Sequence, residues 1–108
     1  MLEPLLGSEI REKILLFLFV YREGYIRGIA KLFNFNVNAV AFQLDKLENG
    51  GVIVSQLKGK TRLYSLNPRY FFLNELKALL QKAKDALPEE ELEKYYRIRT
   101  RPRRRGKQ

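Results

Sequence analysis

The spacing of apolar residues changes period at Asn49-Gly50-Gly51, and that change sets the order in which secondary structure has to occur along this chain. Upstream, apolar residues recur every three or four positions, the period of helices with one buried face. Downstream come two β-prone stretches, Val52 to Leu57 and Thr61 to Leu66, joined by Lys58-Gly59-Lys60, which has the length and the glycine of a tight hairpin. Asn67-Pro68 closes the second stretch, since proline cannot continue the ladder. Helical spacing then returns from Tyr70 to Leu87, with Phe72, Leu73, Leu76, Leu79, Leu80, Ala83 and Leu87 inward. Pro88 followed by Glu89-Glu90-Glu91 predicts a short further helix to about Arg97. The fold class this order predicts is mainly α with a small β-hairpin (α+β).

Three helical segments precede the switch. Gly7-Ser8, followed by Glu9 and Glu12, marks a helix start that runs to about Arg22, with Ser8 as its cap. Its stripe is Ile10, Ile14, Phe17, Leu18 and Tyr21, yet Leu15, Leu16, Phe19 and Val20 carry apolar character around most of the cylinder. Such a helix is either central to the core or covered on its outer side by another subunit. After a break at Gly24, Ile26 to Phe33 reads as a short amphipathic helix with Arg27 and Lys31 outward. Asn34 suits the left-handed conformation that ends a helix, and Asn36 suits the cap of the next. That third helix should begin near Val37, bury Val37, Val40, Leu44 and Leu47, and stop at Asn49-Gly50-Gly51.

Composition narrows the chemistry. At 108 residues the chain has room for about one domain, and with 45% apolar and 31% charged residues it should fold. It has no Cys, His or Trp, so thiol and imidazole catalysis and the usual zinc, copper and haem ligands are excluded. The consecutive acids Glu89 to Glu91, with Glu93, suit an exposed first helical turn rather than converging ligands. The expectation is therefore no enzyme, no cofactor and no metal. The longest apolar run, Ile14 to Tyr21, has eight residues, far short of the ~20 that span a bilayer. No membrane segment is expected, and with nothing like a signal sequence at Met1 to Ser8 the expected location is cytoplasmic.

The net charge of +9 is unevenly spread: residues 1–96 hold 14 Lys/Arg against all 12 Asp/Glu, while 97–108 hold seven cations and no acid. A division follows into a domain at 1–87 and a short helix with basic tail at 88–108. The tail's cations, Arg97, Arg99, Arg101, Arg103, Arg104, Arg105 and Lys107, suit a polyanion, either as an arm on DNA or as a merely solubilising end. An RNA-binding arm would have Tyr95 and Tyr96 as its adjoining stacking rings.

Two short helices joined by Asn34-Phe35-Asn36 match the helix-turn-helix signal, in which the second helix enters a major groove. Three helices followed at once by a basic-tipped hairpin is the order of a winged helix-turn-helix, here with an added C-terminal helix. The sequence also resembles the bacterial and archaeal winged helix-turn-helix regulators of the ArsR/MarR-like group, particularly the stand-alone or nucleotidyltransferase-associated modules. The resemblance rests on LLGSEIREKILLFLF (Leu5 to Phe19), YIRGIAKLFNFNVNAVAFQLDKLENGGVI (Tyr25 to Ile53) and RLYSLNP (Arg62 to Pro68), and extends to the basic terminus. It implies a dimeric module that binds double-stranded DNA, with a recognition helix at Val37 to Glu48. The chain departs from that group in having Asn38, Ala39, Ala41 and Phe42 where cationic or hydroxyl side chains are common, and only Lys46 against Asp45 and Glu48. It also lacks Cys and His ligands for metal sensing and the Asp-x-Asp of a fused nucleotidyltransferase.

The candidate DNA-binding residues are Asn36 at the cap of the recognition helix, Asn38, Ala39, Phe42 and Gln43 on it, and Arg27, Lys31, Lys46, Lys58, Lys60 and Arg62 for phosphates. Asn38 and Gln43 carry the paired donor and acceptor that read adenine, and Phe42 can touch a thymine methyl. Leu15, Phe19, Leu76, Leu79, Leu80 and Ala83 are the expected homodimer interface. The leading expectation is a homodimeric, sequence-specific transcriptional regulator. The alternative is a winged-helix adaptor for a separately encoded enzyme, in which Phe42 contacts protein and the tail holds nucleic acid non-specifically.

Overall fold

A computed structural model describes residues 1–96 and shows six helices around a three-stranded antiparallel sheet. The helices are α1 (Glu3–Leu6), α2 (Glu9–Tyr21), α3 (Ile26–Phe33), α4 (Val37–Asn49), α5 (Leu73–Asp85) and α6 (Glu89–Tyr95). The strands are β1 (Glu23–Tyr25), β2 (Ile53–Lys58) and β3 (Thr61–Leu66), ordered β1-β3-β2. This is the α+β winged helix-turn-helix that the sequence order predicts.

Helix α2 lies at the centre, which decides between the two readings of its apolar girth. Ser8 opens it, its hydroxyl accepting a 3.2 Å bond from the Arg11 amide. Ile14, Leu15, Leu16 and Leu18 are all no more than 2% exposed. The chain itself covers them: α2 contacts α1, α3, α4, α5, β1 and β3. Full burial of each such side chain contributes about 1.5–3 kcal/mol, so this helix is the main source of cohesion.

Two short elements escape the sequence pattern. Helix α1 has four residues and β1 has three, too few for either period to register. Where the sequence suggests only a break at Gly24, the chain turns out of α2 through Arg22 (φ 76°) and pairs β1 with β3, Gly24 opposite Tyr64. Gly24 is required by packing, because a Cβ there would lie 2.4 Å from the Phe17 ring. Helix α5 begins later than the spacing suggests, and Phe72, expected inward, is exposed ahead of it beside Phe71.

The segment after Leu87 returns to the same core. Lys13 pairs with Glu91 at 2.7 Å, the Tyr21 hydroxyl donates to the Tyr95 carbonyl at 2.6 Å, and Tyr95 and Tyr96 lie 5.0 and 5.9 Å from the Phe33 ring centre. Residues 88–96 thus pack against α2 and the end of α3. Tyr96 is 2% exposed, and its hydroxyl has no hydrogen-bond partner among the described residues. Burial first, then the carboxylates of Glu91 and Glu12, push its phenol far above the ordinary tyrosine range.

Two outcomes follow from this packing. Gly24→Ala should destabilise the fold by about 1–3 kcal/mol through overpacking against Phe17, read by denaturant unfolding. Because the Tyr96 pKa is raised on folding, its contribution is intact below the unfolded value of 10.0 and is lost as pH rises above it. Unfolding free energy measured between about pH 8 and 11 should therefore fall at the alkaline end, and Tyr96→Phe should flatten that fall. At neutral pH the same substitution should stabilise by about 1 kcal/mol, since it removes an unsatisfied buried hydroxyl.

Candidate nucleic-acid interface

Helices α3 and α4 form the helix-turn-helix, and its turn is built by two asparagines. Asn34 ends α3 at φ 58°, ψ 43°, its amide donating to the Ala30 and Lys31 carbonyls. Asn36 caps α4, its side-chain oxygen accepting from the Asn38 and Ala39 amides at 2.8 and 3.2 Å. That oxygen is occupied by the cap, so the role of Asn36 is to set the start of α4. Val40, Leu44 and Leu47 are buried and hold α4 to the core, with Val37 half-buried beside them.

The outward face of α4 presents Asn38, Phe42, Asp45 and Lys46, all exposed, with Ala39 and Ala41 half-buried. Phe42 is 59% exposed, and the Lys46 ammonium lies 5.0 Å from its ring centre. An apolar ring facing water, with a cation held over it, is the distinctive feature of this surface. Gln43 is held from within the chain. It is half-buried, and its Oε1 accepts from Arg11 Nε at 2.9 Å while the same guanidinium donates to the Leu6 carbonyl at 2.8 Å. This bond ties α4 to the start of α2 and turns one acceptor lone pair of Gln43 inward.

The wing is the β2–β3 hairpin. Lys58 pairs with Thr61 across a turn in which Gly59 adopts φ 64°, a conformation glycine takes without strain. Lys58 and Lys60 are exposed at the tip. Arg62 lies nearer the root: it donates to Ser55 Oγ at 3.2 Å, and that hydroxyl donates to Glu48 Oε2 at 2.7 Å. This chain joins the wing to the last turn of α4 and occupies one of that helix's two acids. Asn67 closes the root, donating from its side chain to the Gly51 carbonyl at 2.8 Å. Beneath lies Tyr64, whose phenol is pushed up by burial and by Glu48 and Asp45, against an opposing pull from Arg62.

Arg27 and Lys31 are exposed on α3. Among the described residues, none of Arg27, Lys31, Lys46, Lys58, Lys60 and Arg62 is in an ion pair. The almost neutral outward face of α4 thus belongs to a helix-turn-helix whose exposed cations on α3 and the wing make no ion pair among the described residues, although Arg62 is hydrogen-bonded to Ser55.

The expected subunit-interface residues divide. Leu15, Leu80 and Ala83 are interior to this chain, at no more than 4% exposure, and have no surface to give a partner. Phe19, Leu76 and Leu79 are half-buried and reach the surface. Phe71, at 86% exposure the most exposed large apolar side chain among the described residues, packs edge-to-face on Phe72 at 4.9 Å, a feature that helical spacing concealed by assigning Phe72 inward. Tyr95 and Tyr96, offered as stacking rings for RNA, are instead packed on Phe33. The seven tail cations lie outside the described residues. Arg11, Ser55 and Glu48 were not identified by sequence, since their contacts span from seven to 32 positions and leave no periodic trace. No three described acids are grouped to hold a metal ion, and no described helix is long and apolar enough to cross a membrane.

No protein-family model and no curated protein sequence matches the chain. Solved structures do. The adhesin competence repressor AdcR of Streptococcus pyogenes aligns over 84% of this chain and 69% of its own, at 16% identity and a TM-score of 0.60. The YusO protein of Bacillus subtilis aligns over 79% and 66%, at 22% identity and a TM-score of 0.57. Lactococcus lactis ZitR, a zinc-responsive MarR family member, is similar in a mutant apo form over 85% and 84%, at 20% identity and a TM-score of 0.55. In another ZitR mutant structure the match spans 66% of that chain, about the fraction spanned in YusO. These likenesses show that the chain shares its fold with these proteins, among them a zinc-responsive MarR family member.

The cap gives this geometry a direct check. Asn36→Ala should cost about 1 kcal/mol of stability, within a usual range of 0.5–2, and Asn36→Asp should recover most of it, both read by thermal or urea unfolding.

Proposed function

We propose that this protein is a transcriptional regulator that binds double-stranded DNA as a homodimer, with α4 in the major groove and the wing on the flanking phosphates. The observation that carries this reading is the exposed, Asn36-capped face of α4 in a domain whose α3 and wing carry exposed cations in no ion pair among the described residues. In this reading Asn38 contacts base edges, Ala39 and Phe42 meet thymine methyl groups, and Arg27, Lys31, Lys46, Lys58 and Lys60 neutralise phosphates. Arg62 supports the wing through Ser55 while keeping further guanidinium donors for a phosphate. Two-fold symmetry would set the two recognition helices about 34–36 Å apart on a palindromic site. Phe19, Leu76 and Leu79, together with Phe71 and Phe72, supply the apolar surface for pairing. The role is one of binding without catalysis, and it locates the protein with DNA in the cytoplasm.

A second reading is favoured by Phe42, a large apolar ring 59% exposed on the outward face of α4. In that reading α4 docks on a separately encoded enzyme, and nucleic acid is held non-specifically.

Fluorescence anisotropy with a labelled duplex pool at several salt concentrations separates the two. Lys58→Ala with Lys60→Ala should weaken binding to every sequence and make the log-log salt slope shallower by about 0.9 for each phosphate contact removed. Unchanged binding by this double variant would remove the wing from the interface. Phe42→Ser should reduce preference among sequences; loss of a protein partner with duplex affinity intact would instead establish the adaptor.

A further inference from the structure

A cleft of about 420 Å³ opens where the ends of α2 and β3 meet α5. Its floor is apolar and includes Phe19 and Leu66, while its polar lining is Arg22, Lys77, Gln81 and Lys84. Among the described residues no acid and no part of α4 lines it. Lys77, Gln81 and Lys84 share one face of α5, since positions i, i+4 and i+7 lie one above another on a helix. Asp85, the acid next to Lys84, lies outside the lining and is bonded by the Gln81 amide at 2.8 Å. Arg22, Lys77 and Lys84 form no ion pair among the described residues. Arg22 also has a backbone that side chains rarely adopt, at φ 76° and ψ −33°, where glycine would sit without strain. Its amide donates to the Leu18 carbonyl at 3.0 Å, a bond that any residue but proline can make. The turn out of α2 therefore does not call for a guanidinium, yet one is kept there at a conformational cost.

We infer that this cleft binds a small phosphomonoester, its phosphate held by Arg22, Lys77 and Lys84 and its apolar body resting on Phe19 and Leu66. The volume is that of a small-ligand site. Three cations without an acid suit a dianion with three terminal oxygens; a monocarboxylate has one charge and two oxygens and leaves part of the set unanswered. The planar guanidinium of Arg22 can donate to two phosphate oxygens at once. Lys77 and Lys84 stand about 10 Å apart along the axis of α5, and their flexible four-carbon stems can close on a phosphate seated between them. A phosphate bound by all three ties α5 to the turn between α2 and β1. This site lies beyond the duplex-binding reading and does not depend on it, since none of its residues is among those assigned to DNA.

The test is an NMR titration of the full, isotope-labelled chain at low salt and about pH 8, where a phosphomonoester is a dianion. Phenyl phosphate, inorganic phosphate and benzoate are the probes. Phenyl phosphate should shift the backbone amides of Arg22, Lys77, Gln81 and Lys84 along one saturating curve. Inorganic phosphate, which lacks the ring, and benzoate, which lacks the second charge, should each bind about 10-fold more weakly or worse. Lys77→Gln/Lys84→Gln should weaken phenyl phosphate by about 10-fold or more, whereas Lys82→Gln, on α5 but outside the cleft, should not. Arg22→Gly should weaken it comparably while Tm stays equal or rises, because glycine adopts this turn freely. No saturable shift at the cleft, or shifts centred on α3 and the wing, would overturn the site. Equal affinity for benzoate would overturn phosphate as the ligand group, and equal affinity for inorganic phosphate would overturn the apolar contact. A lower Tm in Arg22→Gly would show that the arginine serves the fold and remove it from the site. If Lys77→Gln/Lys84→Gln instead shifts a monomer–dimer equilibrium and phenyl phosphate leaves the cleft unperturbed, a second copy of the chain covers it and the site is overturned.

Discussion

Burial of α2 on nearly every side is the constraint from which the remaining architecture follows. Its second half has no polar face, so a single chain of this length can keep it from water only by surrounding it. The three-helix arrangement alone leaves part of it open. The sheet through β1 and β3, α5 from another side, and α6 along Lys13 and Tyr21 complete the enclosure. One consequence is that a helix whose composition suggests a subunit interface serves mainly as the core of its own chain. Only positions at its rim, such as Phe19, are left to meet a partner.

The same enclosure shapes the face proposed to meet nucleic acid. α4 devotes Val40, Leu44 and Leu47 to the core, and two further polar residues are engaged in holding its position: Gln43 is bonded by Arg11, and Glu48 by Ser55. What remains outward is small, nearly neutral and partly aromatic. Positive charge therefore has to come from neighbouring elements, α3 and the wing among the described residues. In the proposed duplex-binding reading this division separates shape from charge: α4 would supply the surface that fits a groove, and the cations of α3 and the wing an attraction that depends on salt rather than on sequence.

Local chemistry made much of this legible beforehand. The two asparagines of the turn act as their side chains predict, one at positive φ and one as a cap, because both effects operate within three residues. The hairpin was readable because Gly59 and Asn67-Pro68 restrict the backbone directly. Helix boundaries from Ile26 to Asn49 agree with the apolar spacing for the same reason. β1 was not readable, since three residues have no period and the pairing depends on β3, some forty positions away. Phe72 misled because helical spacing records where a side chain would point if the helix had already begun, and here it had not.

The sequence by itself determined the order of elements, the turn chemistry and the exclusion of thiol and imidazole chemistry, all set by residue type and near-neighbour spacing. Only the tertiary structure decided which polar side chains are free to act. Gln43 and Asn38 share one helix and the same kind of amide, yet the first is bonded to a guanidinium 32 positions earlier and the second is exposed. Likewise Lys60 faces solvent while Arg62, two residues along the same hairpin, is bonded to Ser55. A side chain's availability depends on partners brought near by the fold, and distance along the chain carries no record of that proximity.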